Sequence, residues 1–155
     1  MRTGLTLDDL GDLLELPILA VLATKRKNGT ILLSPVWHEW SEGGFSIVTW
    51  ANDIKSKNIR ANPQVTVLVA EPVHPYRSLE ISGTATLEAL TDPMPFVTRL
   101  GTRFRGADGA AYVEGRHSVR AEGEARYAGC FVADVEGGFN RRVKRIKTKI
   151  SGQML

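Results

Sequence analysis

The 155-residue sequence predicts a mainly β protein with helical insertions, a small antiparallel barrel forming one domain over residues 1–155. Three observations predict it. Short runs of β-branched and aromatic residues, six or so, recur at near-regular spacing. Tight-turn signals separate neighbouring runs, Asn28-Gly29 above all. Only two or three segments carry helical periodicity, and no period of 20–50 residues marks a repeat protein. With 43% hydrophobic and 24% charged residues, the chain has the composition of one that buries a core rather than a disordered one.

The elements follow in order. Thr6 is a capping hydroxyl with an acid, Asp9, three positions on, and Leu7, Leu10, Leu13 and Leu14 recur at helical spacing. Residues 6–15 therefore read as a short amphipathic helix, ended by Pro17. Ile18 to Thr24 fits a buried strand, and across the Asn28-Gly29 turn the return strand runs from Ile31 to Trp40. Glu42-Gly43-Gly44 turns the chain into a strand from Phe45 to Trp50. A helix of about two turns, Asp53 to Asn62, stops at Pro63. Gln64 to Glu71 is a strand, followed by the turn-rich Pro72-Val73-His74-Pro75. Arg77 to Ala89 is a long strand in which Gly83 suggests a bulge or a close backbone approach. Asp92-Pro93 opens a helix to about Phe104, and residues 105–127 read as helical turns and loop. Cys130 to Val135 and Val143 to Ile150 are the last strands expected.

Several function classes are disfavoured. The longest apolar runs, Ile18 to Thr24 and Val65 to Ala70, are strand-length, so no membrane partner is expected. The N-terminus lacks the continuous apolar stretch of a secretory signal. One cysteine, Cys130, excludes intramolecular disulfides and a thiolate metal cluster, and points to the reducing cytoplasm. His38, His74 and His117 stand apart, none in an H-E-x-x-H frame, so no metal site is expected. No G-x-S-x-G, P-loop or G-x-G-x-x-G lies between strand and helix. The catalytic residues are therefore unknown, and an enzyme built this way would borrow its chemistry from a cofactor.

The net charge is +3, but residues 140–149 carry six positive charges and no negative one. This run reads as a solvated face. Its basic residues are not interleaved with aromatic ones, so nucleic acid is not an expected partner. A second cluster is Lys55, Lys57 and Arg60. Just before it, Pro35 interrupts a strand and leaves backbone groups free, with the Ser34 hydroxyl beside it and Val36 and Trp37 as flat apolar surface. Thr49 ends the next strand. Lys57 and Arg60 are neighbours at spacing three on the helix, with Asn58 between them. The set suits a phosphorylated, flat heterocycle; it also suits a plain amphipathic helix that displays its lysines.

The ordered series Leu-Ala-Thr, Asn-Gly, Ser-Pro-Val-Trp, Val-Thr-Trp, Lys-Ser-Lys-Asn-Ile-Arg-Ala-Asn-Pro and Pro-Tyr-Arg-Ser-Leu-Glu-Ile-Ser-Gly-Thr-Ala, over about residues 15–90, resembles the pyridoxamine-phosphate-oxidase-like superfamily. Within it the chain is most similar to the flavin/deazaflavin oxidoreductase B group. The resemblance implies a six-stranded antiparallel split β-barrel of the FMN-binding type. It implies a homodimer with cofactor sites at the subunit interface, and coenzyme F420 as cofactor, with FMN the alternative. Carried over by position, Lys57 and Asn58 bind the cofactor phosphate, supported by Lys55 and Arg60. Ser34, Pro35, Val36 and Trp37 face the ring, Thr49 and Trp50 lie near the phosphate, and Arg77 and Ser78 reach the cofactor from the neighbouring subunit. Thr24 also lies on a family strand position.

The chain departs from true pyridoxamine-phosphate oxidases at Ser34-Pro35, where a basic residue is usual, and at Ser56-Lys57, which replaces an Arg-Lys pair. Both changes weaken FMN and pyridoxamine phosphate as ligands. If Trp37 faces the cofactor, strand alternation turns His38 to a core-filling or solvent-side position. The activity implied is hydride transfer between F420 and an unsaturated or quinone-like small molecule. The alternatives are an FMN-dependent reductase or oxidase and a non-catalytic protein that binds a cofactor, haem or nucleic acid.

Overall fold

The structure is a computed structural model that describes residues 7–41, 44–74 and 76–114, and the backbone alone of 130–136 and 142–145. Eight strands form one sheet: β1 (Ala20–Lys25), β2 (Ile31–Val36), β3 (Glu39–Ser41), β4 (Gly44–Trp50), β5 (Gln64–Ala70), β6 (Arg77–Ala89), β7 (Cys130–Glu136) and β8 (Arg142–Arg145). The strands pair antiparallel in the order β2-β1-β5-β6-β7-β4-β3, with β8 also on β6. Helices α1 (Ile54–Ala61) and α2 (Met94–Arg105) interrupt it.

The expectation of a six-stranded antiparallel split barrel holds for the mainly β, antiparallel character and differs on two counts. Among the described residues there are eight strands, and no ladder joins the two ends of the path, β2 and β3. Both differences begin where the expected strand Ile31–Trp40 breaks, at Trp37-His38. β2 pairs with β1 while β3 pairs with β4 at the far end of the sheet, so two residues carry the chain from one end to the other. His38 is pinned there, fully buried, with Nε2 3.1 Å from the Ile18 carbonyl oxygen.

The core follows from strand alternation. β4 buries Phe45, Ile47 and Thr49; β5 buries Val65, Val67 and Val69; β1 buries Ala20, Leu22 and Thr24. Each large apolar side chain so buried contributes about 1.5–3 kcal/mol. The register of β5 on β6 runs unbroken through Val65 and Gly83, so Gly83 makes no bulge, one of the two alternatives expected there.

The N-terminal segment is likewise corrected. Only Leu7–Leu10 is helical, as one 3₁₀ turn, because Gly11 adopts a left-handed φ of 55°. The bonds that follow, Leu13 N–H to Leu10 and Glu15 N–H to Asp12, are turn-type. Leu10, Leu13 and Leu14 are nonetheless buried, as their spacing required. Thr6 lies outside the described residues.

α1 ends because Asn62, before Pro63, is driven to an extended φ of −149°. Beyond α2, Gly106–Asp108 forms a 3₁₀ turn and residues 109–114 are helical. That pair of segments meets at glycines: a Cβ on Gly101 would lie 2.7 Å from the Gly109 carbonyl oxygen. The close approach places Phe104 and Tyr112 beside Trp37. Of the basic run 140–149, Arg142–Arg145 is a strand; residues 115–127 and 146–150 of the expected loop and last strand lie outside the described residues.

Candidate functional site

The corner between β4 and α1 is built by side chains that answer one another. Ser56, buried on the first turn of α1, donates its hydroxyl to the Trp50 carbonyl at 2.7 Å. Thr49, also buried, lies 2.9 Å from Ser56 Oγ and donates to Asp53 Oδ2 at 3.2 Å. The same carboxylate oxygen accepts Lys55 Nζ at 2.5 Å and, more loosely, the Trp50 N–H at 3.4 Å. Burial alone would raise the Asp53 pKa. The hydrogen bond and charge of Lys55, with the Trp50 N–H and Thr49 hydroxyl, outweigh it and hold the group below the usual carboxylate value. Thr49, Trp50 and Lys55 thus converge on one anion, and that anion is the protein's own.

The other expected residues are placed as follows. Lys57 is exposed on α1, and its ammonium has no ion pair among the described residues. Asn58 turns inward, buried, and donates Nδ2 to Thr24 Oγ1 at 3.0 Å, binding α1 to β1. Arg60 is exposed and donates to the Ala51 carbonyl at 2.8 Å. On β2, Val36 is buried and Ser34 half-buried, while Pro35 is exposed on the opposite face. β2 pairs with β1 alone, so one backbone edge of Ser34-Pro35-Val36 takes no strand partner among the described residues. Trp37 stacks on Phe104, ring centroids 5.6 Å apart and 7° from parallel, with Tyr112 tilted against it at 6.2 Å.

Arg77 is committed within its own chain. Nη2 and Nε hold the Glu71 carboxylate at 2.7 and 3.0 Å, while Nη1 binds Asp12 and the Leu10 carbonyl, each at 2.7 Å. Ser78 is buried. Of the residues that the sequence grouped, Thr49, Trp50 and Lys55 meet at Asp53, while Lys57 is exposed farther along α1. Sequence reasoning missed Asp53 and Ser56, which the spacing Thr49-x-x-x-Asp53-x-x-Ser56 around a strand-to-helix turn signalled.

His38 fills the core, as alternation allowed. It is wholly buried between the edges of Phe45 and Phe104, at 5.1 and 5.8 Å. A carbonyl accepts only, so Nε2 carries the proton that goes to Ile18 and Nδ1 is bare, buried without a partner among the described residues. Burial, and then the nearby Arg103 charge, lower its pKa from 6.5 to about 4, against the hydrogen bond to Ile18. Arg103 in turn binds the carbonyls of His38 at 3.2 Å, Leu16 at 3.0 Å and Leu14.

The outer face of the sheet differs from the inner. Ile31, Leu33 and Leu68 are 54%, 63% and 36% exposed, and the register sets them around Val21, Ala23 and Pro35 as one apolar surface. A concavity of about 340 Å³ lined by Ala23, Lys25, Ile31, Gln64 and Thr66, among others, adjoins it. Among the described residues no helix is long and apolar enough to cross a membrane, and no three His, Cys, Asp or Glu side chains cluster to hold a metal.

Comparison with known proteins agrees with this architecture. The family model described as pyridoxamine 5'-phosphate oxidase matches residues 7–127. An F420 reductase of known structure is 26% identical, with 89% of this chain and 96% of that chain covered and a TM-score of 0.64. A conserved hypothetical protein from Mycobacterium tuberculosis superposes with a TM-score of 0.63 at 19% identity, covering 90% and 84%. The heme storage protein HutZ from Vibrio cholerae does so at 0.64 with 13% identity, covering 88% and 93%, which shows the shared fold alone. A search of curated proteins finds no significant match. The mainly β fold and the match over most of its length show that the chain belongs to the pyridoxamine 5'-phosphate oxidase family, within the superfamily named for that enzyme.

Proposed function

We propose that the protein is an oxidoreductase that holds coenzyme F420 at the seam of a homodimer. It would exchange a hydride between the cofactor and an unsaturated or quinone-like small molecule. The observation that carries this is the β4–α1 corner, where Thr49, Trp50 and Lys55 already bind an anion, and Lys57 follows on the same helix, exposed and without an ion pair among the described residues. Donors that hold a carboxylate suit a phosphate equally, so the residues present fit a phosphate-bearing cofactor.

Bound there, the deazaflavin supplies a two-electron hydride. The chain's own residues supply position. Lys57 holds the phosphate with the corner donors, and Arg60 adds charge from the last turn of α1. Asn58 fixes α1 against Thr24 and so fixes where Lys57 stands. The free edge of Ser34-Pro35-Val36 offers backbone N–H and C=O groups to the polar rim of a planar ring, with Pro35 as its apolar support. The outer face around Ile31, Leu33 and Leu68 meets a second copy and excludes water from the seam. With Arg77 and Ser78 engaged inside their own chain, their part is to shape the start of β6. The single cysteine, Cys130, suits a reducing compartment, and we assign the cytoplasm.

Parallel titrations with F420 and FMN test the proposal. Colourless protein that quenches F420 fluorescence on mixing supports it. Yellow protein that retains flavin through purification supports the FMN alternative, and binding of neither overturns both.

A further inference from the structure

Asp53 stands at the N-cap of α1 with the extended backbone of a capping residue, φ −61° and ψ 146°, yet makes no side-chain cap bond. An aspartate in this position ordinarily turns its carboxylate onto the first-turn N–H groups. Here the carboxylate turns the other way. It occupies Lys55 Nζ, the Thr49 hydroxyl and the Trp50 N–H, three groups that the proposed function assigns to a phosphate. A phosphate arriving at the corner therefore meets a fixed negative charge already in its seat.

We propose that Asp53 selects the charge of the phosphate that the corner accepts, favouring a singly charged phosphodiester over a doubly charged phosphomonoester. The inference rests on the corner being the phosphate seat. Repulsion scales with the product of the charges, so a dianion is opposed twice as strongly as a monoanion at the same distance. The unused cap gives the carboxylate a place to withdraw to, which frees its three donors while leaving its charge nearby. Removing Asp53 outright would free the donors and the charge together, and the corner would then lose its preference. The two candidate cofactors differ in this respect, since F420 carries its phosphate as a diester and FMN as a terminal monoester.

The test compares wild type, Asp53→Asn and Lys57→Ala, each titrated with F420, FMN and riboflavin at pH 8, where the monoester is doubly charged. Repulsion across about 4 Å of water-like medium is worth about fivefold per ligand charge. Asp53→Asn should therefore tighten F420 about fivefold and FMN about twenty-five-fold, with riboflavin unchanged, so the preference for F420 falls about fivefold. At pH 5.5, where the monoester carries mainly one charge, the two gains should converge. Asp53→Ser, which keeps a capping side chain for α1, should shift the preference likewise and covers any loss of folding in the amide variant. An unchanged FMN-to-F420 ratio in both variants, with binding still lost in Lys57→Ala, keeps the seat and overturns the role of Asp53. Binding indifferent to Lys57 overturns the seat, and the role of Asp53 with it.

Discussion

The side-chain nitrogen of Asn58 lies 3.0 Å from the hydroxyl oxygen of Thr24, and both side chains are buried. A helix that also buries Ile59 and is tied to β4 through Ser56 is thereby bonded to β1. Asn58→Ala leaves the Thr24 hydroxyl in a dry site without its donor, and should cost about 1–3 kcal/mol of stability. Thr24→Val should cost a similar amount by stranding the amide. Urea denaturation checks both through a lowered midpoint at unchanged slope. F420 affinity should fall much less in either variant than in Lys57→Ala.

His38 makes stability depend on pH. Its folded pKa of about 4 lies below the ordinary 6.5, so between these values the unfolded chain binds the extra proton. The contribution of the neutral, buried imidazole is complete above pH 6.5 and is lost as the pH falls towards 4. At most it amounts to about 3 kcal/mol. Imidazole resonances in NMR spectra should show His38 neutral at pH 5.5; a transition near 6.5 would contradict the buried placement.

Arg103 ties α2 to two segments, the stretch before β1 and the β2–β3 break, by donating to the carbonyls of Leu14, Leu16 and His38. Arg103→Met removes the guanidinium that lies over Phe104 and strands those carbonyls, and should lower stability by about 2–4 kcal/mol. The variant should also expose tryptophan fluorescence to quencher, since Phe104, the stacking partner of Trp37, lies next in the chain. Wild-type quenching would contradict the link.

The apolar outer face makes self-association testable. Leu33 is 63% exposed in the single chain, so Leu33→Asp should leave the protomer folded. At the centre of an interface a buried carboxylate weakens association at least about tenfold. Sedimentation should then report a dimer for wild type and a monomer for the variant at the same concentration. A wild-type monomer would remove the seam from the account.

Local rules carried much of the architecture. Val65, Val67 and Val69 alternate in sequence as they do in burial, and Asn28-Gly29 forms the turn its residues demand, with Gly29 at φ 86°. Pro63 ends α1 within a residue of expectation. The misses involve partners distant in the chain. The break at Trp37-His38 is decided by β1 and β4, which claim the two halves of one apolar run. Gly11 looks like any residue in an amphipathic helix until its φ is known. In the site, a basic or amide side chain reads the same whether it stands exposed without an ion pair, as Lys57 does among the described residues, or is spent inside, as Asn58 and Arg77 are. Only the partner's position separates the cases, and for Asp53 the choice between cap and corner is a single side-chain rotation.

A crystal structure of the protein with F420 bound tests the central claim most directly. The phosphate should lie at the β4–α1 corner, in contact with Lys57 and the Trp50 N–H, and the ring against the free edge of Ser34-Pro35-Val36 near a second subunit. A phosphate seated elsewhere, with Asp53 still holding Lys55 and Thr49, would contradict it.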